Sequence, residues 1–267
     1  MQKPPTNKES ISSLRNALKL LNLFSHEEPE MTLSQIAVKL NVGISTAHRL
    51  TSTLLDDGLL KKDSLTKNFR LGTSILAMGN TILSQYELCQ VSRTIQEQLV
   101  QATGETVHLS IVKEYHVMYL QKMDCKHHVY LQSHIGKQNP IYCTSSGQVI
   151  LAYQSNDFIE NVIDIGLDAY TPNTITSPER LKSVLADIRL QGFAYSIEEL
   201  HKGVSSIAAP IKNQSGDVIA SVSIAGPSTR INPHKLPALA KLVKNAGEKI
   251  SEQLLIKNIK HKKEGQR

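Results

Sequence analysis

Apolar residues in the first third of the chain recur every three or four positions in three short blocks. In the first, residues 10–25, Leu14, Ala17, Leu18, Leu21 and Phe24 share one face and predict a core helix. In the second, Leu33, Ile36, Ala37 and Leu40 form the buried face. It begins at Thr32-Leu33-Ser34-Gln35, a capping box that pairs a cap hydroxyl with Gln three residues on. The third runs from Ser45 as N-cap to about Asp57, with Ala47, Leu50, Leu54 and Leu55 inward. Between the second and third lies Asn41-Val42-Gly43. Gly43 is expected to supply a positive φ in the turn, and Val42 to plug the angle between the helices. Gly58 is placed to end the third helix.

The other side of the third helix carries Ser45, Thr46, His48, Arg49, Ser52 and Thr53. Short hydrogen-bonding side chains and one Arg suit base edges and phosphates, whereas a solvated helix face more often carries Glu and Lys pairs. Two apolar-basic runs, 59–63 and 68–71, then bracket a turn at 64–67. They predict a two-stranded wing bearing Lys61, Lys62, Lys67 and Arg70, cations placed to meet several phosphates. Two helices around a tight turn, followed by a wing, place one helix in the major groove of double-stranded operator DNA.

Past residue 72 the pattern changes. Residues 73–87 read as a helix with Ile75, Leu76, Met78, Ile82 and Leu83 apolar, a stiff linker rather than a Pro-rich spacer. A helix from Cys89 to Gly104 follows. Period-two alternation then predicts strands at 105–112, 116–122 and 127–134. Helical segments at 148–154, 157–165 and 177–191 lead back to strands at 193–199, 204–213 and 218–225. A helix from Pro233 to about Lys257 closes the chain. This order indicates an α+β domain on an antiparallel sheet. The expected division is a DNA-binding domain at 1–72, a linker helix at 73–87, a ligand-binding domain at 88–257 and a basic tail at 258–267.

Composition adjusts this picture modestly. A length of 267 residues fits two domains, and 40% hydrophobic content with 4% aromatics and no Trp implies aliphatic cores. The net charge of +6 is not spread evenly. Residues 1–87 carry 10 basic and 8 acidic side chains, residues 88–256 carry 15 of each, and residues 257–267 carry 5 and 1. Overall basicity therefore says little about DNA, and the local placement of charge says more. Apolar runs are too short for a membrane span and the first residues lack a secretory apolar region, so a cytoplasmic protein is expected, with no membrane partner. Cys89, Cys125 and Cys143 are widely spaced and form no CxxC, which argues against a disulfide framework.

Several segments resemble the IclR family of bacterial transcription regulators. They are Ser13-Leu14-Arg15-Asn16-Ala17-Leu18-Lys19-Leu20-Leu21, Ser45-Thr46-Ala47-His48-Arg49-Leu50 and Phe69-Arg70-Leu71-Gly72 in the first module. In the second half, Gly192-Phe193-Ala194-Tyr195-Ser196-Ile197-Glu198-Glu199, then six residues, then Ser206-Ile207-Ala208-Ala209-Pro210-Ile211-Lys212-Asn213 is similar to the family signature, with Lys212 where an aromatic or His is usual. Gly104-Glu105-Thr106, Ser145-Ser146-Gly147 and Ser223-Ile224-Ala225-Gly226-Pro227 are further landmarks. The resemblance implies a winged helix-turn-helix that reads DNA with the helix starting at Ser45, and a GAF/PAS-like effector-binding domain. It also implies homodimers formed through the N-terminal modules, homotetramers as dimers of dimers, and repression as the commoner mode.

By the same resemblance, effector contacts fall on Ser145, Ser146, Ser196, Ser206, Ser223 and Ala225. His108 on its strand is a further candidate. The run Thr144-Ser145-Ser146-Gly147 enters the helix expected at 148. Hydroxyls and free N–H groups at a helix start favour an anion, and Gly147 permits close backbone approach; the competing reading is an ordinary N-cap by Ser145 or Ser146. A small carboxylate carrying several hydroxyls, such as a sugar acid, suits this set.

Two other readings compete. Cys143 with His108 is a conceivable nucleophile pair, but no nucleophile elbow, Walker loop or dinucleotide fingerprint accompanies it. No catalytic residue and no cofactor are assigned. A metal-responsive regulator would need His108, His116, His134 and Cys125 to converge, while His127 and His128 point to opposite faces of a strand. No metal ligand is assigned.

Overall fold

The computed structural model describes residues 8–125 and 131–264. The chain divides into two compact units, Met1–Gln85 and Tyr86–Arg267.

The first unit contains α1 (Lys8–Leu21), α2 (Leu33–Leu40), α3 (Ile44–Asp56), β1 (Leu60–Lys62), β2 (Phe69–Leu71) and α4 (Thr73–Gln85). The capping box at α2 is complete: Thr32 Oγ1 accepts the Gln35 N–H, and Gln35 Oε1 accepts the Thr32 N–H at 2.8 Å. The turn after α2 differs from expectation. Asn41 takes the left-handed conformation at φ 54°, while Gly43 sits at φ −65° as the N-cap of α3. Asn is the residue besides Gly that tolerates this region, so the turn needs no positive φ from Gly43. Helix α3 thus opens at Ile44, and Ser45 lies inside its first turn rather than capping it.

Leu20, Phe24, Met31, Ile36, Ala37, Ala47, Leu54, Leu60 and Phe69 build the core of this unit. Met31 and Phe69 exchange two backbone hydrogen bonds, at 3.0 and 2.8 Å, which tie the wing to the segment before α2. Gly72 has a steric reason: a Cβ there would lie 2.1 Å from the carbonyl oxygen of Gly58. Leu14 and Leu18 depart from expectation. They are 64% and 54% exposed, so periodicity identified an apolar face that this unit does not cover. Helix α4 buries no residue and exposes Leu76, Met78 and Ile82.

The second unit runs α5 (Glu87–Thr103), β3 (Thr106–Lys113), β4 (His116–Met123), β5 (Gln138–Pro140), a 3₁₀ turn (Ile141–Cys143), α6 (Ser145–Leu151), α7 (Asn156–Ile165), α8 (Pro178–Gln191), β6 (Ala194–Ile197), β7 (Val204–Lys212), β8 (Val218–Pro227) and α9 (Leu236–Glu264). Its six strands form one antiparallel sheet in the order β5-β4-β3-β8-β7-β6. Helices α5 and α9 pack together on the sheet, with Gly247 against the Pro210 carbonyl of β7. Helix α6 packs on β7, β8 and β3, and a cluster including Tyr142, Val149, Ile150, Leu181, Leu185 and Ile188 fills the space beneath α6 and α8. This is an α+β architecture whose sheet gains burial from helices on it.

Three boundaries were misplaced by the sequence pattern. Of the strand expected at 127–134, residues 131–134 are irregular, and 127–130 lie outside the described residues. Instead β5 pairs with β4, delivered by a turn in which Tyr119 bonds the backbones of both Gly136 and Lys137. Helix α6 starts at Ser145 rather than 148, because Thr144, not Ser145 or Ser146, caps it through the Gly147 N–H at 3.0 Å. Helix α9 continues to Glu264, through residues expected to belong to the tail.

Candidate functional site

On the first unit, Ser45, Thr46, His48 and Arg49 are exposed on α3, and Ser52 is half-buried. Thr51, on the opposite side, buries its hydroxyl against the Ala47 carbonyl at 3.0 Å. The wing is organised by Asp63, whose Oδ1 accepts the N–H groups of Thr66 and Leu65 at 2.8 and 2.9 Å. Those two bonds hold its carboxyl below the usual range. Register places Lys61 directly opposite Arg70 and Lys62 opposite Phe69. Two cations facing each other across a strand pair repel. Glu30, 3.6 Å from Arg70, offsets part of this, so Arg70 also braces the wing. Lys62 lies 5.0 Å over the Phe69 ring, and Lys67 (φ 61°) donates to the Ser64 carbonyl at 2.7 Å. The structure therefore groups Lys61, Lys62 and Arg70 on one small sheet and sets Lys67 at its turn.

On the second unit, a cavity of about 350 Å³ opens between the sheet and the start of α6. His108, Ser146, Ser196, Ser206, Ser223 and Ala225 line it. Register explains the convergence: His108 pairs with Ser223, and Ser206 pairs with both Ala225 and Ser196, so four adjacent strands present one row of small polar groups. Ser145 is fully buried behind this row and donates to Ser206 Oγ at 2.7 Å; Ser146 donates to Ser223 Oγ at 2.8 Å. Gly147 does not line the cavity. A Cβ at Gly147 would come within 2.2 Å of the Ile141 carbonyl oxygen, so packing of α6 on the 3₁₀ turn, rather than approach of a ligand, requires glycine there.

Sequence reasoning missed Tyr119, Asn139, residues 131–133 and residues 200–202 of the wall; Thr144 was seen only as part of the hydroxyl run and Cys143 only as a candidate nucleophile. Tyr119 was foreshadowed by strand alternation, and its ring stacks on His108 with centroids 4.4 Å apart. The two loops leave no periodic signal.

Three titratable groups buried in the cavity wall, His108, Tyr119 and Cys143, are neutral. Burial, then the nearby Lys122 charge, pushes His108 down to about 3, so its ring is a neutral imidazole. His108 Nε2 lies 2.9 Å from Ser133 Oγ, and its buried Nδ1 has no hydrogen-bond partner. Burial pushes Tyr119 up to about 12. Burial and Glu199 push Cys143 up to about 12, which keeps it a thiol and removes it as a nucleophile at neutral pH. Among the described residues no three His, Cys, Asp or Glu side chains assemble as metal ligands, and His127 and His128 lie outside those residues. Also among the described residues, no helix is long and apolar enough to cross a membrane.

A winged helix-turn-helix joined to an antiparallel-sheet domain with a polar internal cavity defines a DNA-binding transcription regulator with a sensor-type domain. Residues 13–64 match the IclR helix-turn-helix domain, and residues 80–252 match the family described as the C-terminal domain of the bacterial transcriptional regulator IclR. The chain belongs to the IclR family. It is 28% identical over 247 residues to the HTH-type transcriptional regulator KdgR of Escherichia coli K12, covering 92% of this chain and 94% of that protein. It is 26% identical over 244 residues to the transcriptional repressor IclR of the same organism, covering 90% and 89%. Among solved structures, a transcriptional regulator from Rhodococcus sp. RHA1 superposes with a TM-score of 0.83 at 27% identity, covering 92% of this chain and 98% of that one. These relatives are regulators, and the enzyme reading of Cys143 and His108 falls.

Proposed function

We propose that this protein is a homodimeric repressor whose grip on its operator is set by a small hydroxylated carboxylate held in the α6 cavity. Ser45, Thr46, His48, Arg49 and Ser52 meet base edges and adjacent phosphates, while Lys61, Lys62, Lys67 and Arg70 meet the phosphate backbone. The bare apolar faces of α1 and α4, with Leu14, Leu18, Leu76 and Met78, supply surface for a second copy. Two copies place two reading helices on half-sites about one helical turn, ~34 Å, apart.

The observation that carries the effector class is the pair of hydroxyl relays. Ser145 and Ser146 spend their protons on Ser206 and Ser223, so these two acceptors keep their own protons for something else. Both line the cavity beside the neutral His108. Two aimed O–H donors fit a carboxylate, and Ser196, Asn139 and Thr144 offer further partners for hydroxyls. Lys202 at the exposed rim adds attraction for an anion. The effector acts only through different affinities for the DNA-bound and free arrangements. Calorimetry with a set of sugar acids, matched neutral polyols and uncharged aromatics tests the class. Tight binding confined to uncharged aromatics overturns it.

A further inference from the structure

Glu199 is a buried carboxyl just behind the cavity wall, 7% exposed. Its backbone is pinned, since its carbonyl accepts Thr174 Oγ1 at 2.6 Å and Thr171 Oγ1 at 3.3 Å. Its Oε2 accepts Gln148 Nε2 at 2.7 Å, and the Ser196 hydroxyl lies near enough to favour its charged form. Gln148 cannot turn away cheaply, because the same amide nitrogen holds the Tyr142 carbonyl at 2.9 Å. Ser196, Cys143 and the next residue in the chain, Leu200, all line the cavity, so Glu199 lies one side chain behind its wall.

The groups facing this carboxyl are mostly uncharged. Helix α6 contributes the Gln148 amide, the 3₁₀ turn contributes the Cys143 thiol, and β6 contributes Ser196. Arg180 on α8, an exposed side chain, is the cation that acts on it. A negative charge placed in the cavity therefore adds repulsion across a thin wall, which Lys202 and His201 at the exposed rim offset only in part.

We propose that effector binding is linked to a proton: an anionic effector entering the cavity drives Glu199 to take up one proton from solvent, so that effector affinity rises as pH falls. The proposal rests on the carboxylate reading above. The incoming proton forms an O–H on the Glu199 carboxyl, and the Ser196 hydroxyl, a free rotor, reverses from donor to acceptor to receive it. Burial already holds this carboxyl up at about 7, so the proton is exchangeable near neutral pH. A sugar acid stays ionised throughout that range, and the linkage belongs to the protein.

The test is calorimetry of the full chain with D-gluconate and, as a neutral counterpart, D-glucitol, from about pH 6 to about pH 8.5, in buffers of different ionisation heat. The expected result is uptake of up to one proton per gluconate bound. The gluconate Kd should weaken by up to about tenfold per pH unit above neutrality, with no such trend for glucitol. Glu199→Gln should bind gluconate with a flat pH profile and no proton uptake. Should that variant fold poorly, His201→Gln, which changes the other titratable group at the rim, should keep the proton uptake of the unmodified protein, and loss of uptake there overturns the assignment to Glu199. Gluconate binding with no proton uptake overturns the linkage and leaves the carboxylate reading standing. Uptake that persists in Glu199→Gln also overturns it. Absence of binding by any carboxylate at every pH overturns the carboxylate reading and the linkage together.

Discussion

Ser146 donates its hydroxyl proton to Ser223 across 2.8 Å, joining the first turn of α6 to β8 over 77 residues of chain. The bond fixes two things at once. It seats α6 on the sheet, and it leaves the proton of the cavity-lining Ser223 free for another acceptor. Ser223→Ala should cost about 1–3 kcal/mol of stability, since Ser146 is left buried without its acceptor. It should also weaken sugar-acid binding by roughly tenfold, the worth of one charge-assisted bond. Denaturant melts and calorimetry on the same preparation separate the two effects. A variant that melts early yet binds as before would leave Ser223 only a structural role.

Arg230 grips Glu105 with two parallel bonds, Nε to Oε1 and Nη2 to Oε2, each 2.6 Å. Glu105 is almost wholly buried, and Gly226 makes room for it: a Cβ there would sit 2.2 Å from Glu105 Oε2. Arg230→Ala strands a buried carboxylate and should destabilise the second unit by about 3 kcal/mol. Arg230→Lys should recover only part of this, because an ammonium cannot reproduce the fork. Thermal unfolding of the three proteins at neutral pH checks the order.

Glu199 makes stability depend on pH in the direction opposite to most acidic residues. Its folded pKa is raised, to about 7 from 4.5, chiefly by burial. Below the unfolded value both states are protonated and nothing is lost. As pH rises from about 4.5 to about 7 the unfolded chain ionises first, and folding loses up to roughly 3 kcal/mol. Glu199→Gln should remove this slope, becoming relatively more stable toward pH 8. Urea midpoints measured across that range without effector provide the check.

How much of this was readable beforehand depended on where the signal is stored. The α2 capping box is local, needing Thr32 and Gln35 only, and it was legible in full. The serine row was legible residue by residue, though not as geometry, because it exists through the pairing of β3, β8, β7 and β6. Gly147 was noticed for the wrong reason: close approach is required, but to the Ile141 carbonyl. Thr144 outcompeted Ser145 and Ser146 as cap because those serines face buried strand hydroxyls. Residues 131–133 and 200–202 enter the wall through turns whose placement depends on long-range contacts, and no period announces them.

Leu14 and Leu18 show the same limit from another side. Periodicity reports an apolar face and cannot tell whether the chain's own core or another copy covers it. Leu18→Glu should leave the fold of the first unit intact, since the side chain is already half-exposed. In the proposed dimer it should shift the balance toward monomer, because a carboxylate would have to be buried in the interface. Sedimentation velocity with circular dichroism distinguishes this from unfolding. A stable dimer in Leu18→Glu would move the interface elsewhere.

Arg49 and the wing lysines should fail in different ways when removed. Arg49 stands exposed on the α3 face with Ser45, Thr46 and His48, where a guanidinium can bond a base edge bidentately. Arg49→Ala should therefore cost operator binding about 1–3 kcal/mol while changing nonspecific binding little. Lys61 and Lys62 carry charge without a fork and lie on a strand, so in the proposed complex they should meet phosphates alone. Each Lys→Ala change should weaken every duplex alike and lower the slope of log K against log salt by about 1. Fluorescence anisotropy with operator and scrambled duplexes at several salt concentrations resolves the two behaviours. Equal losses on both duplexes in Arg49→Ala would show that this residue holds the backbone and that the sequence is read from other positions on α3.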